Sequence, residues 1–342
     1  MKVAMYYSNK DVRLEDMPMP NIGKGEILMR IHATGLCGTD VVEWYRADKV
    51  PLVLGHEVAG EIASVGAGVD GFKEGDRISA SHHVPCGECR YCLDGHETVC
   101  ETLRSTKFYP GGFGEYVRLP AINVTKGIYA LPENVSYEEA TFIEPLACVL
   151  RGQRLAGVTK DKSVLVIGSG ISGALHIKLA KANGASKVIA TDISDYRMQK
   201  AKEYGSDVVV LATEDVPESV CKANGGRLAD IVILCTGAKS ALMQALNSVD
   251  RGGAILFFAA TEKDLTIPLP VNDVFWRNEI TLISSYAGSP KDHKEALELI
   301  ASGKIKVADM ITHRLSLAQA QEGFKLVAAA NESMKVIIEP QK

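Results

Sequence analysis

Four cysteines of this chain fall within fifteen residues, at Cys86, Cys89, Cys92 and Cys100. The spacing x2, x2, x7 brings four thiols from one short loop within reach of a single ion. Four thiolate sulfurs suit a closed, tetrahedral structural zinc, with no position left for water or substrate. Such an ion would fold a lobe that has little apolar core of its own. A disulfide framework suits short secreted chains rather than one of 342 residues without an apolar leader. The flanks match neither ferredoxin spacing, and a nucleic-acid zinc ribbon would show two separated CxxC knuckles with basic flanks.

A second pattern is Gly168-Ser-Gly170-Ile171-Ser172-Gly173. Taken alone, GxGxxG is a weak signal. Here it follows the apolar run SVLVI and opens a helical pattern, which is where a pyrophosphate needs it. Gly168 permits the turn, Gly170 lets the backbone approach phosphate, and Gly173 lets helix and strand pack closely. The N–H groups of the helix start, at Ile171 and Ser172, face the phosphates. Asp192 ends the next strand, nineteen residues after Gly173. Its carboxylate is placed to accept ribose hydroxyls and to repel a 2′-phosphate, which favours NAD over NADP. It could instead simply cap the following helix. Arg197 is expected to pack on the adenine or hold Asp192, and Thr236 and Gly237 to join the cofactor contacts.

Further groups are scattered: Cys37, Thr39 and Asp40 in GLCGTD, His56 and Glu57 in GHEVAG, and Glu144 in EPLAC. Each has an ordinary reading. Cys37 can be a small buried residue, Thr39 a turn residue, His56 a hydrogen-bonded loop histidine and Glu144 a helix-start acid.

The elements that must position these groups differ along the chain. From residue 163 onward strands and helices alternate: Ser163–Ile167, a helix over 171–183, Lys187–Asp192, a helix over 195–204, then strands at 207–211, 230–235 and 254–258. Repeated βα units predict a parallel sheet covered by helices, an α/β doubly wound domain. The first ~150 residues are rich in Gly and Pro, with short apolar runs at 26–31 and 58–65, and read as a β-rich, loop-rich domain. Ser289-Pro290 starts a helix, Ser316 with Gln319 has a capping-box pattern, and KVIIE near the C-terminus is a strand.

Composition narrows the class. Apolar residues make up 46% and charged residues 23%, as in globular domains. A net charge of −4 gives no strong pull towards nucleic acid or anionic membrane. No apolar run is long enough for a membrane span, and MKVAMYYSNKDVRLED lacks a signal core, so a cytoplasmic protein is expected.

GLCGTD, GHEVAG, the stretch VGAGVDGFKEGDR, the four-cysteine lobe, EPLAC and GSGISG occur in the order seen in the zinc-containing medium-chain dehydrogenases, over essentially the whole chain. EPLAC, with Glu in place of a ligand Cys, resembles the sorbitol (iditol) and threonine dehydrogenase branch. The resemblance implies a GroES-like catalytic domain over 1–150 with the zinc lobe at 86–100. It further implies a Rossmann domain over 151–284 and a return to the catalytic domain over 285–342. Cys37, His56 and Glu57 would hold a catalytic zinc, with Glu144 a ligand directly or through water, giving two Zn2+ per chain. The metal would act as a Lewis acid on an alcohol oxygen while the carbinol hydride passes to nicotinamide. Thr39 would relay the proton. Many relatives place a histidine five positions after the ligand cysteine, where this chain has Val42.

Glu43, Trp44, Tyr45, Arg46, Phe113 and Tyr286 are candidate pocket residues, with Arg46 suited to an anionic substrate group. A polyol or sugar-derived secondary alcohol is the first substrate reading and a threonine-type amino alcohol the second. A non-catalytic binding protein would be expected to lack a zinc ligand. Cys148, Cys221 and Cys235 are left as buried cysteines. A homodimer or homotetramer is expected, joined through the apolar run at 279–286.

Overall fold

The structure, a computed structural model, describes residues 1–342, the side chain of Asp273 excepted. The chain forms two compact units, Cys148–Tyr286 and Met1–Ala147 together with Ala287–Lys342.

Cys148–Tyr286 holds a six-stranded parallel sheet. The strand order is Val208–Leu211, Lys187–Asp192, Ser163–Ile167, Ala229–Leu234, Val249–Phe257 and Thr281–Ser284. The chain starts mid-sheet at Ser163–Ile167, runs out to one edge, then returns and builds the other half. That reversal leaves a crevice at the carboxyl ends of Ser163–Ile167 and Ala229–Leu234, the usual place for a dinucleotide in open α/β sheets. SVLVI is buried at every position, as expected of a strand covered on both faces. Leu165, Ile167, Ile189, Val232 and Ile255 form its core with Leu242 and Ala245 of the helix Lys239–Ser248.

The predicted strand at 254–258 begins earlier, at Val249. In the structure Gly252 takes φ +71° and the ladder to Ala229–Leu234 shifts register there, so the strand passes through an irregularity rather than starting after it.

The other unit is β-rich, as expected. A seven-stranded sheet runs Ile311–Ser316, Lys335–Glu339, Ile27–Gly35, Glu57–Val65, Arg77–Ala80 and Ile128–Ala130, with Tyr116–Leu119 also paired to Ile27–Gly35. Ile27, Met29 and Ile31 alternate inward and are fully buried. KVIIE is therefore an interior strand of this sheet. Ser289 caps the helix Pro290–Ala301 in a reciprocal box with Asp292. Ser316 and Gln319 form a second box, which opens a 3-10 turn and then the helix Ala320–Ala329. Among the described residues no helix is long and apolar enough to cross a membrane.

Candidate active site and metal centres

Strand register assembles the first site. Ile27–Gly35 and Glu57–Val65 are antiparallel neighbours with Gly35 opposite Glu57. Cys37, two residues past one strand end, therefore meets His56, which precedes the other strand. Ligand atoms of Cys37, His56 and Glu57 lie within 4.8 Å of one another. Ligands of a four-coordinate zinc at its usual bond lengths stand roughly 3.3–3.8 Å apart, so small adjustments of these side chains would close the set. One thiolate, one imidazole and one carboxylate leave a position for water or substrate, and this donor set fits zinc.

Glu144 stands in the first turn of the helix Ile143–Leu155. It lies outside the three-residue cluster, although its charge acts on Glu57, His83 and His293. Thr39 donates from its hydroxyl to Cys37 Sγ at 3.2 Å, and its N–H lies 3.5 Å from the same sulfur. The side chain of Thr39 is exposed.

Two residues to which the sequence assigned no role support this cluster. Asp40 is fully buried and accepts the Cys37 N–H at 3.0 Å, while its other oxygen lies 3.5 Å from His56 Nδ1. Burial opposes charge on both partners, yet their mutual attraction holds Asp40 below and His56 well above its ordinary range. With Nδ1 facing Asp40, His56 has Nε2 left for a metal, which must displace any proton there. Lys335 is the other. It is ion-paired with Glu57, both side chains 1% exposed. Gly35 leaves room for this pair: a Cβ there would collide with Glu57 Oε2 and Lys335 Nζ. Burial raises the Glu57 pKa, against the pull of Lys335.

Imidazoles crowd the same end of the sheet. Ala80 pairs with Val58, so the chain past Ala80 runs alongside His56. The His82 ring centroid is 4.9 Å from that of His56 and 3.7 Å from that of His83. Burial holds His82 well below the ordinary range and His83 down to about 4. The dipeptide His82-His83 directly before the cysteine lobe was the available signal.

Of the expected pocket residues, Phe113 is core. It has no exposed surface and packs edge-on against Phe324, with centroids 5.7 Å apart. Arg46 donates to the Thr39 carbonyl at 3.3 Å and lies 3.8 Å from Asp40. Glu43 accepts the Asn9 N–H, Trp44 and Tyr45 are exposed, and Tyr286 belongs to the other unit.

The four-cysteine lobe meets a direct test. Sγ separations are 3.8 Å for Cys86–Cys92, 3.6 Å for Cys89–Cys92 and 3.6 Å for Cys86–Cys100. A tetrahedron of sulfurs about 2.3 Å from zinc has edges of about 3.8 Å. Sulfurs so spaced are not disulfide-bonded, and no disulfide occurs among the described residues. N–H groups of Cys86, Gly87, Glu88 and Cys89 point at these sulfurs at 3.3–3.5 Å. The N–H groups of Glu88 and Cys89 lower the Cys86 pKa, whereas burial raises that of Cys92 to about 12. Four thiolates this close require a cation. Cys148, Cys221 and Cys235, expected to be buried, are only half-buried.

In the parallel-sheet unit, Gly168 takes φ +89° and Gly170 precedes the helix Ile171–Ala182, whose first residues are Ile171 and Ser172. A Cβ on Gly173 would collide with the Gly168 carbonyl, so helix and loop pack at backbone distance. Asp192 accepts the Ser169 N–H at 2.8 Å and the Ser194 N–H at 3.0 Å. It thus ties the loop to the cap of the next helix, and a carboxylate keeps lone pairs beyond these two. The Arg197 guanidinium stands over Gly170, 3.7 Å from where a Cβ would be. Thr236 lies against Gly168, and Gly237 packs on the Ala260 backbone.

A β-rich unit carrying two metal-competent clusters, in a chain with a dinucleotide-type sheet, defines the class: a metal-dependent, nucleotide-linked dehydrogenase. Comparison with known proteins agrees. The family descriptions "Alcohol dehydrogenase GroES-like domain" and "Zinc-binding dehydrogenase" match residues 23–132 and 173–302. The sorbitol dehydrogenase of Bacillus subtilis (strain 168) is 30% identical over 356 residues, spanning 100% of this chain and 98% of that protein. The L-threonine 3-dehydrogenase of Bacillus licheniformis is 33% identical over 334 residues, spanning 95% and 94%. The crystal structure of galactitol-1-phosphate dehydrogenase from Escherichia coli superposes with a TM-score of 0.87 at 27% identity, over 99% of this chain and 100% of that one. The chain belongs to the zinc-binding alcohol dehydrogenase family.

Proposed function

We propose that this protein transfers a hydride between NAD and a secondary alcohol of a polyol or sugar-derived substrate. The observation that carries the reading is the convergence of Cys37, His56 and Glu57 next to the Thr39 hydroxyl. These three would hold the catalytic zinc, with Glu144 an additional ligand directly or through water, and Cys86, Cys89, Cys92 and Cys100 the structural zinc. When bound, zinc supplies Lewis-acid polarisation of an alcohol or ketone oxygen and NAD the two-electron oxidant.

The chain's own residues do the rest. Asp40 orients His56. Thr39 Oγ1 takes the substrate hydroxyl proton. Val42 offers no onward acceptor, but Thr39 is exposed and can release the proton to water. Backbone N–H groups at Ile171 and Ser172 receive the pyrophosphate. The Asp192 carboxylate accepts from the adenosine ribose and disfavours a 2′-phosphate, with Arg197, Thr236 and Gly237 around the cofactor.

Assembly as a homodimer or homotetramer through Thr281–Ser284 accompanies this reading. That strand is a sheet edge with Leu282 37% exposed, flanked by exposed Trp276 and Tyr286. The absence of disulfides among the described residues favours a reducing compartment, the cytoplasm.

The test is elemental analysis for zinc with an NAD-reduction screen over polyols, inositols, threonine and simple alcohols. Two zincs per chain and a ketose or inosose product are expected. An aminoketone from threonine as the favoured product would overturn the substrate class, and one zinc with no turnover would overturn the catalytic site.

A further inference from the structure

Three buried polar atoms near the Cys37–His56–Glu57 cluster have no hydrogen-bond partner: His82 Nδ1, the Tyr129 hydroxyl and His293 Nε2. Buried polar groups are almost always paired, so three orphans in one region call for a partner from outside the chain. They are neighbours. The rings of Tyr129 and His293 stack in parallel, 5.4 Å apart and 5° from coplanar. His82 sits between His56 and His83, and its electrostatic surroundings include His293. Glu144 acts on His293 in turn. Strand pairing sets Tyr129 opposite Ser79, three residues before His82.

Their chemistry is complementary to hydroxyl groups. His293 is 3% exposed, and its Nδ1 lies 2.9 Å from the Ser289 carbonyl. Nδ1 therefore carries the proton, and Nε2 presents a lone pair. The Tyr129 hydroxyl can donate and accept, and an imidazole nitrogen such as His82 Nδ1 can take either role. None of the three belongs to a metal-competent cluster. A simple alcohol has nothing to offer these three groups beyond its reacting hydroxyl. A polyol carries further hydroxyls, each both donor and acceptor.

We propose that His82, Tyr129 and His293 determine specificity by binding the hydroxyls of a polyhydroxylated substrate other than the one oxidised. This rests on the polyol reading above. It adds that discrimination against monohydroxy alcohols resides in these three side chains.

The experiment uses the zinc-loaded enzyme and the variants Tyr129→Phe and His293→Leu. Tyr129→Phe removes one oxygen and keeps the stacked ring, so it tests recognition without opening a cavity. kcat/KM is measured with NAD for the best of sorbitol, xylitol and myo-inositol, and for 2-propanol. Binding of the same polyol to the NAD-free protein is measured by calorimetry. Each substitution is expected to lower polyol kcat/KM about tenfold, mainly through KM, with a matching loss of polyol affinity. Values for 2-propanol and zinc content should stay unchanged. Equal losses on polyol and 2-propanol would reveal a packing role and overturn the proposal, as would unchanged polyol binding in both variants. A wild-type enzyme that prefers 2-propanol to every polyol would instead sink the polyol reading, and this proposal with it.

Discussion

His56 turns Nδ1 towards Oδ1 of Asp40 at 3.5 Å, and Asp40 has no exposed surface. The distance is at the outer limit for a hydrogen bond, so the contact is chiefly electrostatic. The other oxygen of Asp40 accepts the Cys37 N–H. One buried carboxylate therefore orients two candidate ligands. Asp40→Asn should weaken zinc at the Cys37–His56–Glu57 site by about 10- to 100-fold. Chelator competition followed by elemental analysis checks this, with the cysteine-lobe zinc retained. An unchanged zinc affinity would refute the orienting role.

In the metal-free protein Lys335→Met leaves Glu57 buried without its counter-ion. The loss should be about 3–5 kcal/mol in chemical denaturation. Adding Glu57→Gln removes the stranded charge and should recover most of it. Additive losses in the double variant would show that the two residues are not coupled.

Cys89→Ser removes one corner of the sulfur tetrahedron. Zinc should fall from two ions per chain to one, and the thermal midpoint should drop by several degrees. A variant of equal stability and metal content would rule out a structural ion in the lobe.

Asp192→Ala should raise NADP use relative to NAD, since the carboxylate that repels a 2′-phosphate is gone. The ratio of kcat/KM values for the two cofactors measures this. Because Asp192 also accepts from Ser169 and Ser194, a modest loss of stability should accompany the change. An unaltered ratio would leave Asp192 with the loop-tying role alone.

Acid should destabilise the parallel-sheet unit through His176. This imidazole has no exposed surface, and burial pushes its pKa down to about 3. Below about pH 6.5 the unfolded chain binds a proton that the folded unit refuses. Stability is therefore complete above that pH and falls as the pH drops from about 6.5 towards 3, by up to about 1.4 kcal/mol per pH unit. His176→Met should flatten the decline of the thermal midpoint between about pH 7 and pH 5. An identical decline in the variant would exclude His176 as its source.

Two kinds of feature were legible in the sequence: those encoded locally, and the scattered set Cys37, His56, Glu57 and Glu144, which came through family resemblance. The glycine loop and the cysteine lobe each lie within fifteen residues, and the spacing alone sets their backbone geometry. The Ser289 and Ser316 caps are four-residue devices and were equally legible. The Glu57–Lys335 pair was not, because it depends on Lys335–Glu339 lying antiparallel to Ile27–Gly35, with Ile337 opposite Gly35. Phe113 follows a Gly-Gly step and looked like a pocket residue. Its burial against Tyr6 and Phe324 depends on the helix Ala320–Ala329 packing from the far end of the chain. His293 and Tyr129 came into view only once helix Pro290–Ala301 and strand Ile128–Ala130 were seen to bring their rings together.

The Glu57–Lys335 pair also bears on how the protein is made. Glu57 leaves the ribosome 278 residues ahead of the lysine that neutralises it. At typical rates of synthesis the interval is on the order of tens of seconds. The parallel-sheet unit, encoded between them, can fold during that wait, whereas the strands around Cys37 and His56 lack both a neighbouring strand and the counter-ion of Glu57 until KVIIE is threaded in beside them. The parallel-sheet unit is thus free to mature before the Cys37–His56–Glu57 cluster, and nascent chains halted before Lys335 should hold zinc there more weakly than the full chain does.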